Sequence, residues 1–325
     1  MGLSAFINKQ VAKNYLGRPE LAEFLNFQYP ALTLQSAAFI NELCYRLSLT
    51  LAPFVKSAAF ELTNHCNLRC SICPNSRPQT REKGYMDLEL FKKIISENPG
   101  LNLVQLNGWG EPFMHPAILE CIKFAKSKGK RVYLYSNGTM IEGELATEIL
   151  KSGLDRIIIS IDGVDQAYER VRNFSYPEIE NRVVSLINKR NELGSPLIID
   201  VSMVGSKESE KDIDAFKMRW KIKADRIQIL SYIEHSQKER TQKCRELWRG
   251  NPQVLWDGSV TVCCVDWSGE LVFAKVGPDG YSLPKIYNCE KVKALRRMHT
   301  RKKFSGLCGQ CNEYSSEYIV NRFGK

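Results

Sequence analysis

Three cysteines stand at Cys66, Cys70 and Cys73, a Cys-x3-Cys-x2-Cys spacing inside HCNLRCSIC. Thiolates this close in sequence can converge on one metal centre, and soft sulfur suits zinc and iron–sulfur clusters alike. Zinc would need a fourth ligand, for which His65 is at hand, but adjacent residues rarely aim both side chains at one ion. A cubane cluster held by three thiolates instead keeps one iron open. A second set, Cys244, Cys263, Cys308 and Cys311, reads Cys-x13-Gly-x4-Cys through Gly258 and then Cys-x2-Cys. Four thiolates close a metal site completely, and zinc and iron–sulfur both fit them. Of the other cysteines, Cys44, Cys121 and Cys289 read as small buried hydrophobes. Cys264, beside a ligand of the second set, is a candidate hydrogen-atom donor.

The elements that must position these thiols follow a simple rhythm. AAFELT, LNLVQLN, RVYLYSN, RIIISID, PLIIDVSM and DRIQILSY are short, apolar and rich in β-branched and aromatic residues, the composition of strands. LELFKKIISEN, PAILECIKFAKSKG, GELATEILKSG and PEIENRVVSLINKRNELG carry helical spacing between them. Alternation of this kind makes a parallel sheet, and the first thiols fall after the first strand, where barrel and doubly wound sheets both carry their sites. The expected fold is α/β: a partial (β/α)6 TIM-type barrel with a small cysteine-rich C-terminal domain. Residues 1–57 read as an N-terminal helical extension, 58–236 as the barrel and 237–325 as the auxiliary domain. Asp257–Gly258, between two β-prone runs, signals a hairpin that presents Cys263.

The 325 residues, 43% hydrophobic and 25% charged, describe a globular chain with length for a large core. The N-terminus lacks a secretory pattern, so a cytoplasmic location is expected. Eleven cysteines in a reducing compartment then serve metals or redox chemistry before disulfides. A net charge of +10 attracts anions, yet no nucleic-acid module accompanies it, and nucleic acid is not an expected partner. Glu42 and Arg46 interrupt the apolar stretch before residue 57. An amphipathic helix is therefore expected, packed on the barrel, with peripheral membrane contact as the alternative.

The Cys66/Cys70/Cys73 triplet after a first strand resembles that of the radical S-adenosylmethionine superfamily, over about residues 58–236. The position before the third cysteine, often aromatic in the family, is Ile72. The resemblance implies a [4Fe–4S] cluster whose open iron binds S-adenosylmethionine, reductive cleavage to a 5′-deoxyadenosyl radical, and abstraction of a substrate hydrogen. NGWGEP resembles the family's Gly-Gly-Glu motif, with Trp109 in place of the middle residue, and implies cofactor contact by Gly108, Gly110 and Glu111. The same resemblance brings Ser136 and Asn137 to the cofactor, Ser160 and Asp162 to its ribose or polar tail, and Arg172 to its carboxylate, with Arg170 as a nearby alternative. Strand-end capping would also account for the Ser, Asn and Asp types. The second cysteine set resembles the start of a SPASM domain, shortened to its one-cluster "twitch" form, which implies one auxiliary [4Fe–4S] cluster.

These readings converge on an enzyme that dehydrogenates, epimerises or otherwise modifies a small molecule or peptide, fed by an electron donor such as flavodoxin or ferredoxin. Epimerases of the superfamily use a cysteine as hydrogen donor, the role considered for Cys264. The alternatives are an RNA- or lipid-modifying member of the superfamily and a non-catalytic zinc-binding interaction protein.

Overall fold

The computed structural model describes residues 33–78, 80–206, 209–232, 240–311 and 323–324. The first 32 residues of the N-terminal extension and residues 233–239, where the barrel was expected to end, lie outside them. Helix α1 (Leu34–Arg46) precedes β1 (Ser57–Phe60), after which helices and strands alternate: α2 (Leu88–Glu97), β2 (Leu103–Leu106), α3 (Ile118–Ser127), β3 (Arg131–Ser136), α4 (Gly143–Lys151), β4 (Arg156–Ser160), α5 (Asp165–Arg172), α6 (Tyr176–Leu193), β5 (Ile198–Gly205), α7 (Ile213–Trp220) and β6 (Arg226–Ser231). All six expected strands form, and β1 to β6 pair in chain order, each parallel to the next.

Each inner strand buries one face under the helices. Val132 and Leu134 of β3, Ile157 and Ile159 of β4, and Ile199, Val201 and Met203 of β5 are all fully buried there. The other face looks inward, and the sheet stays open: β1 and β6 do not pair with each other. It is the expected partial barrel and not the doubly wound sheet that the same rhythm also allowed. Local signals set the helix limits. Asp87 caps α2 by accepting from the Leu90 N–H, and Ser175 caps α6, which stops at Gly194 with φ +60°.

The chain then adds β7 (Gln253–Val254), β8 (Ser259–Thr261), β9 (Val272–Lys275), α8 (Leu283–Tyr287), α9 (Glu290–Thr300), α10 (Gly306–Gln310) and β10 (Phe323–Gly324). β7 pairs parallel to β1, β8 and β9 extend the sheet as antiparallel strands, and β10 pairs antiparallel to β6. Both flanks of the half-barrel are thus covered from the C-terminal region. The expected hairpin is present: Gly258 N–H donates to Leu255 O at 2.9 Å, with φ +86° at Gly258, a backbone region that glycine enters without strain.

The N-terminal segment is less of an appendage than its sequence suggests. Leu51–Lys56 is buried, Asn41 exchanges two hydrogen bonds with Phe54, and Ala52 exchanges two with Asn288. The fully buried Arg296 donates to Thr50 O, Leu247 O, Tyr287 O and Asn288 Oδ1 and fastens this segment to α9. α1 packs through Ala37, Asn41 and Cys44 and leaves Phe39, Leu43 and Leu47 exposed on its outer side. Among the described residues no helix is long and apolar enough to cross a membrane.

Candidate functional site

The loop after β1 carries the first three thiols, and its shape is fixed by contacts remote in sequence. Asn64 donates to Glu82 O and accepts from Gly84 N–H, while Thr63 Oγ1 donates to Gly84 O at 2.7 Å. Ser71 N–H reaches Val171 O at the end of α5. Gly110 lies against the same loop so closely that a Cβ there would stand 2.3 Å from Thr63 O and 2.6 Å from His65 O. Only glycine fits this approach, whereas a Cβ at Gly108 would meet the Glu61 side chain.

Cys66, Cys70 and Cys73 line one cavity of about 520 Å³ at the C-terminal ends of the strands. Burial raises all three thiols above their ordinary pKa, Cys73 to about 11. Every other residue expected at the cofactor, namely Gly108, Gly110, Glu111, Ser136, Asn137, Ser160, Asp162 and Arg172, lines this same cavity. His65 does not: its ring stacks on Tyr85, with centroids 4.7 Å apart.

Glu111 is buried, and desolvation raises its carboxyl pKa against three hydrogen bonds that favour the charged form. Ser136 Oγ donates to Oε1 at 2.8 Å, Asn137 N–H to Oε2 at 2.7 Å, and Phe113 N–H to Oε1 at 3.2 Å. The carboxylate therefore ties the end of β3 to the turn after β2. Asn137 Nδ2 donates to Asn67 Oδ1 at 2.9 Å and lies 3.9 Å from Cys66 Sγ. Arg172 pairs with Asp162 at 2.6 Å and points one nitrogen at Cys70 Sγ, 3.7 Å away. Burial works against the charge of Arg172, but Asp162 and Cys70 outweigh it and raise its pKa. Arg172 Nε is buried without a partner. Arg170 is exposed, so of the two candidate arginines only Arg172 faces the thiols.

The second set also comes together: Cys244, Cys263, Cys308 and Cys311 line one small cavity with Leu247, Val262, Leu271 and Leu307. Burial raises Cys244 to about 12 and Cys308 to about 11. Among the described residues no such group is closed around a point for a single metal ion; the fit of both sets to a larger sulfur-held centre rests on these shared, desolvated cavities. Cys264 lines both cavities, and Val265 and Trp267 beside it also face the first.

Three positions had no local signal in the sequence. Arg81 holds Glu61 through two hydrogen bonds of 2.8 and 2.9 Å and donates from Nε to Trp267 O, clamping the first loop to the second domain. Asp266 accepts from Thr261, Glu270 and Leu271 and shapes the turn that presents Cys263 and Cys264. Asn67 links Asn137 to Thr139. Each acts across the fold, where spacing along the chain is silent.

Residues 60–218 match the sequence model of the Radical SAM superfamily, and residues 244–312 match SPASM, an iron–sulfur cluster-binding domain. The chain is 29% identical over 165 residues to a tungsten-containing aldehyde ferredoxin oxidoreductase cofactor-modifying protein of Pyrococcus furiosus, a match over 49% of this chain and 46% of that protein. It is 31% identical over 121 residues to an AdoMet-dependent heme synthase of Methanosarcina barkeri, 37% of this chain and 34% of that protein. The matches thus span less than half the length of these relatives. Among solved structures, BtrN in complex with AdoMet and 2-DOIA superposes with TM-score 0.59 at 18% identity, over 81% of this chain and 94% of that one. SuiB of Streptococcus suis bound to precursor peptide SuiA gives 0.61 at 13%, over 78% and 69%. At these identities the structural likeness is one of fold.

Proposed function

Because the chain is a radical S-adenosylmethionine superfamily enzyme with a SPASM iron–sulfur domain, we propose that it cleaves S-adenosylmethionine reductively and removes a hydrogen atom from a small-molecule substrate held between the two domains. The observation that carries this reading is a single cavity lined at once by Cys66, Cys70 and Cys73 and by Cys264, Val265 and Trp267 of the second domain. When bound, a [4Fe–4S] cluster on the first thiols supplies the electron that breaks the cofactor's sulfonium C–S bond, and the carbon radical so formed takes the substrate hydrogen.

The chain's own residues bind, orient and shield. Cys66, Cys70 and Cys73 would hold the cluster. Gly108 and Gly110 let the turn after β2 close on Glu61 and on the loop after β1, Glu111 offers a carboxyl oriented by three hydrogen bonds to an ammonium, and the unpartnered Nε of Arg172 suits a carboxylate. Ser160 and Asp162 flank the same space from the end of β4. Cys244, Cys263, Cys308 and Cys311 would hold the auxiliary cluster, with Leu247, Val262, Leu271 and Leu307 around them and Arg240 and Glu246 at the same pocket.

Two outcomes follow for the substrate radical: loss of an electron and a proton gives dehydrogenation, and gain of a hydrogen atom from a thiol gives epimerisation. The place of Cys264 in the first cavity favours the second outcome, with the thiyl restored by one electron and one proton from an external donor such as flavodoxin or ferredoxin. The test is anaerobic reconstitution, iron and sulfide counting, and assay of 5′-deoxyadenosine. Two clusters and cofactor cleavage support the reading. Zinc in place of iron, with no cleavage under a strong reductant, overturns it.

A further inference from the structure

Four thiolates carry more negative charge than the cubane core they hold cancels, and every electron such a centre takes adds to it. In a desolvated pocket that charge resists reduction unless a fixed cation stands beside the sulfurs. Among the described residues that line the pocket of Cys244, Cys263, Cys308 and Cys311, two other side chains are charged, Arg240 and Glu246. Glu246 is paired with Arg249 at 2.9 Å, which offsets its charge. His299 also touches this site, but its Nδ1 accepts from Cys244 N–H at 3.0 Å and so carries no proton, which makes the ring neutral. Arg240 is the positive group that faces the thiols.

Arg240 is buried and held from several sides. Its backbone N–H donates to Gly309 O at 3.3 Å, its Nε to Cys308 O at 3.1 Å and its Nη1 to Gln242 O at 3.2 Å. The guanidinium lies 5.9 Å from the centroid of the Phe304 ring. Carbonyl oxygens and a ring face orient a guanidinium; they do not neutralise it. The thiols act on it in return. Burial works against the charge of Arg240, yet Cys244, Cys311 and Cys308 outweigh burial and hold its pKa above the ordinary value, with a side-chain hydrogen bond to Cys311 among the causes. One side chain therefore reaches the backbone of Cys308 and the sulfur of Cys311.

We propose that Arg240 sets the reduction potential of the second cluster, its fixed charge at the sulfurs stabilising the reduced form so that the pocket accepts an electron that burial alone would keep out. The inference deepens the proposed function and rests on it, because it requires an iron–sulfur cluster at this cysteine set. Arg240 acts through the sulfurs, as a positioned charge. A purely structural fork that ties Gln242 to Cys308 would shape the loop and leave the potential where it is.

The experiment titrates reconstituted holoenzyme at a series of set potentials and follows the reduced clusters by EPR, with iron and sulfide counted in every sample. The full chain with Cys66, Cys70 and Cys73 replaced by Ala identifies the signal of the second cluster. Arg240→Gln keeps a donor and loses the charge. It should lower the ratio of reduced to oxidised second cluster at a fixed potential about tenfold, a downward shift of ~59 mV for one electron. Arg240→Lys keeps the charge and should hold most of the native potential. An unmoved potential in Arg240→Gln, or an equal shift in Arg240→Lys, overturns the proposal. Where Arg240→Gln does not retain the cluster, the native chain carrying arginine labelled with heavy nitrogen decides. Coupling of that nitrogen to the reduced second cluster in pulsed EPR, lost in Arg240→Lys, supports the proposal, and no coupling in the native chain overturns it. Iron counting separates the two failures: a native second site without iron and sulfide refutes the cluster reading, and a loaded site with an unmoved potential refutes the role of Arg240 alone.

Discussion

The two cysteine sets are gathered in opposite ways. Cys66, Cys70 and Cys73 come from one loop after β1 and face a roomy cavity edged by Glu111, Asp162 and Arg172. Cys244, Cys263, Cys308 and Cys311 come from three separate stretches and meet in a small pocket lined by Leu247, Val262, Leu271 and Leu307 together with Arg240 and Glu246. A site that exchanges ligands needs room and polar groups. A site that stores or passes electrons is better dry, because burial and the groups around the sulfurs set its potential. The contrast fits the proposed division, with ligand chemistry at the first set and electron handling at the second.

The strongest test of that division removes a thiol from the first set. Cys66→Ala, Cys70→Ala or Cys73→Ala should reduce 5′-deoxyadenosine formation to background, while the second cluster's absorption and its share of iron remain. Cleavage that survives would erase the distinction. Next comes Gly110→Ala, which sets a methyl against the backbone of Thr63 and His65. It should cost about 2 to 3 kcal/mol of stability in urea and weaken S-adenosylmethionine binding. Removal of Cys308 or Cys311 should halve iron and sulfide and stop product formation, while cofactor cleavage falls by no more than a few fold. A collapse of cleavage in these variants would show that the two sites are not separable.

The smallest expected effect is a pH dependence outside both sites. Burial lowers the pKa of His115 from the ordinary 6.5, and its contacts suit a neutral ring: Nε2 lies 2.8 Å from Met86 O, and Nδ1 accepts from Ala117 N–H. As pH falls through the ordinary value the unfolded chain takes up a proton that the folded imidazole resists. Its contribution is therefore present above that value and declines on acidification towards the lower folded pKa. Urea midpoints measured from pH 7 to 5 should drop less for His115→Gln than for the native chain, and equal slopes would remove His115 as the cause.

Much of the barrel was legible because its strands carry one fully buried face and its longer helices a clear apolar stripe. The parts that escaped lack those signals. α5 buries only Ala167, Tyr168 and Val171 in a strongly charged octet. α9 places Lys293, Arg296 and His299 in positions where a pattern would ask for Leu or Ile. Arg296 is tolerated because backbone and amide oxygens satisfy its guanidinium. Arg240 stands in the charged run KERTQK, yet it is buried and donates to Cys308 O at 3.1 Å. The first thiols were visible because their spacing is local, whereas the clamp from Arg81 to Glu61 and Trp267 joins residues that no short window contains.

The pairing of Ala59 and Phe60 with Gln253 and Val254 bears on how the molecule is made. A ribosome releases β1 long before β7 exists, so the growing half-barrel holds an apolar strand with one bare flank, the kind of edge that recruits other chains. The C-terminal region supplies the missing partner and covers that flank.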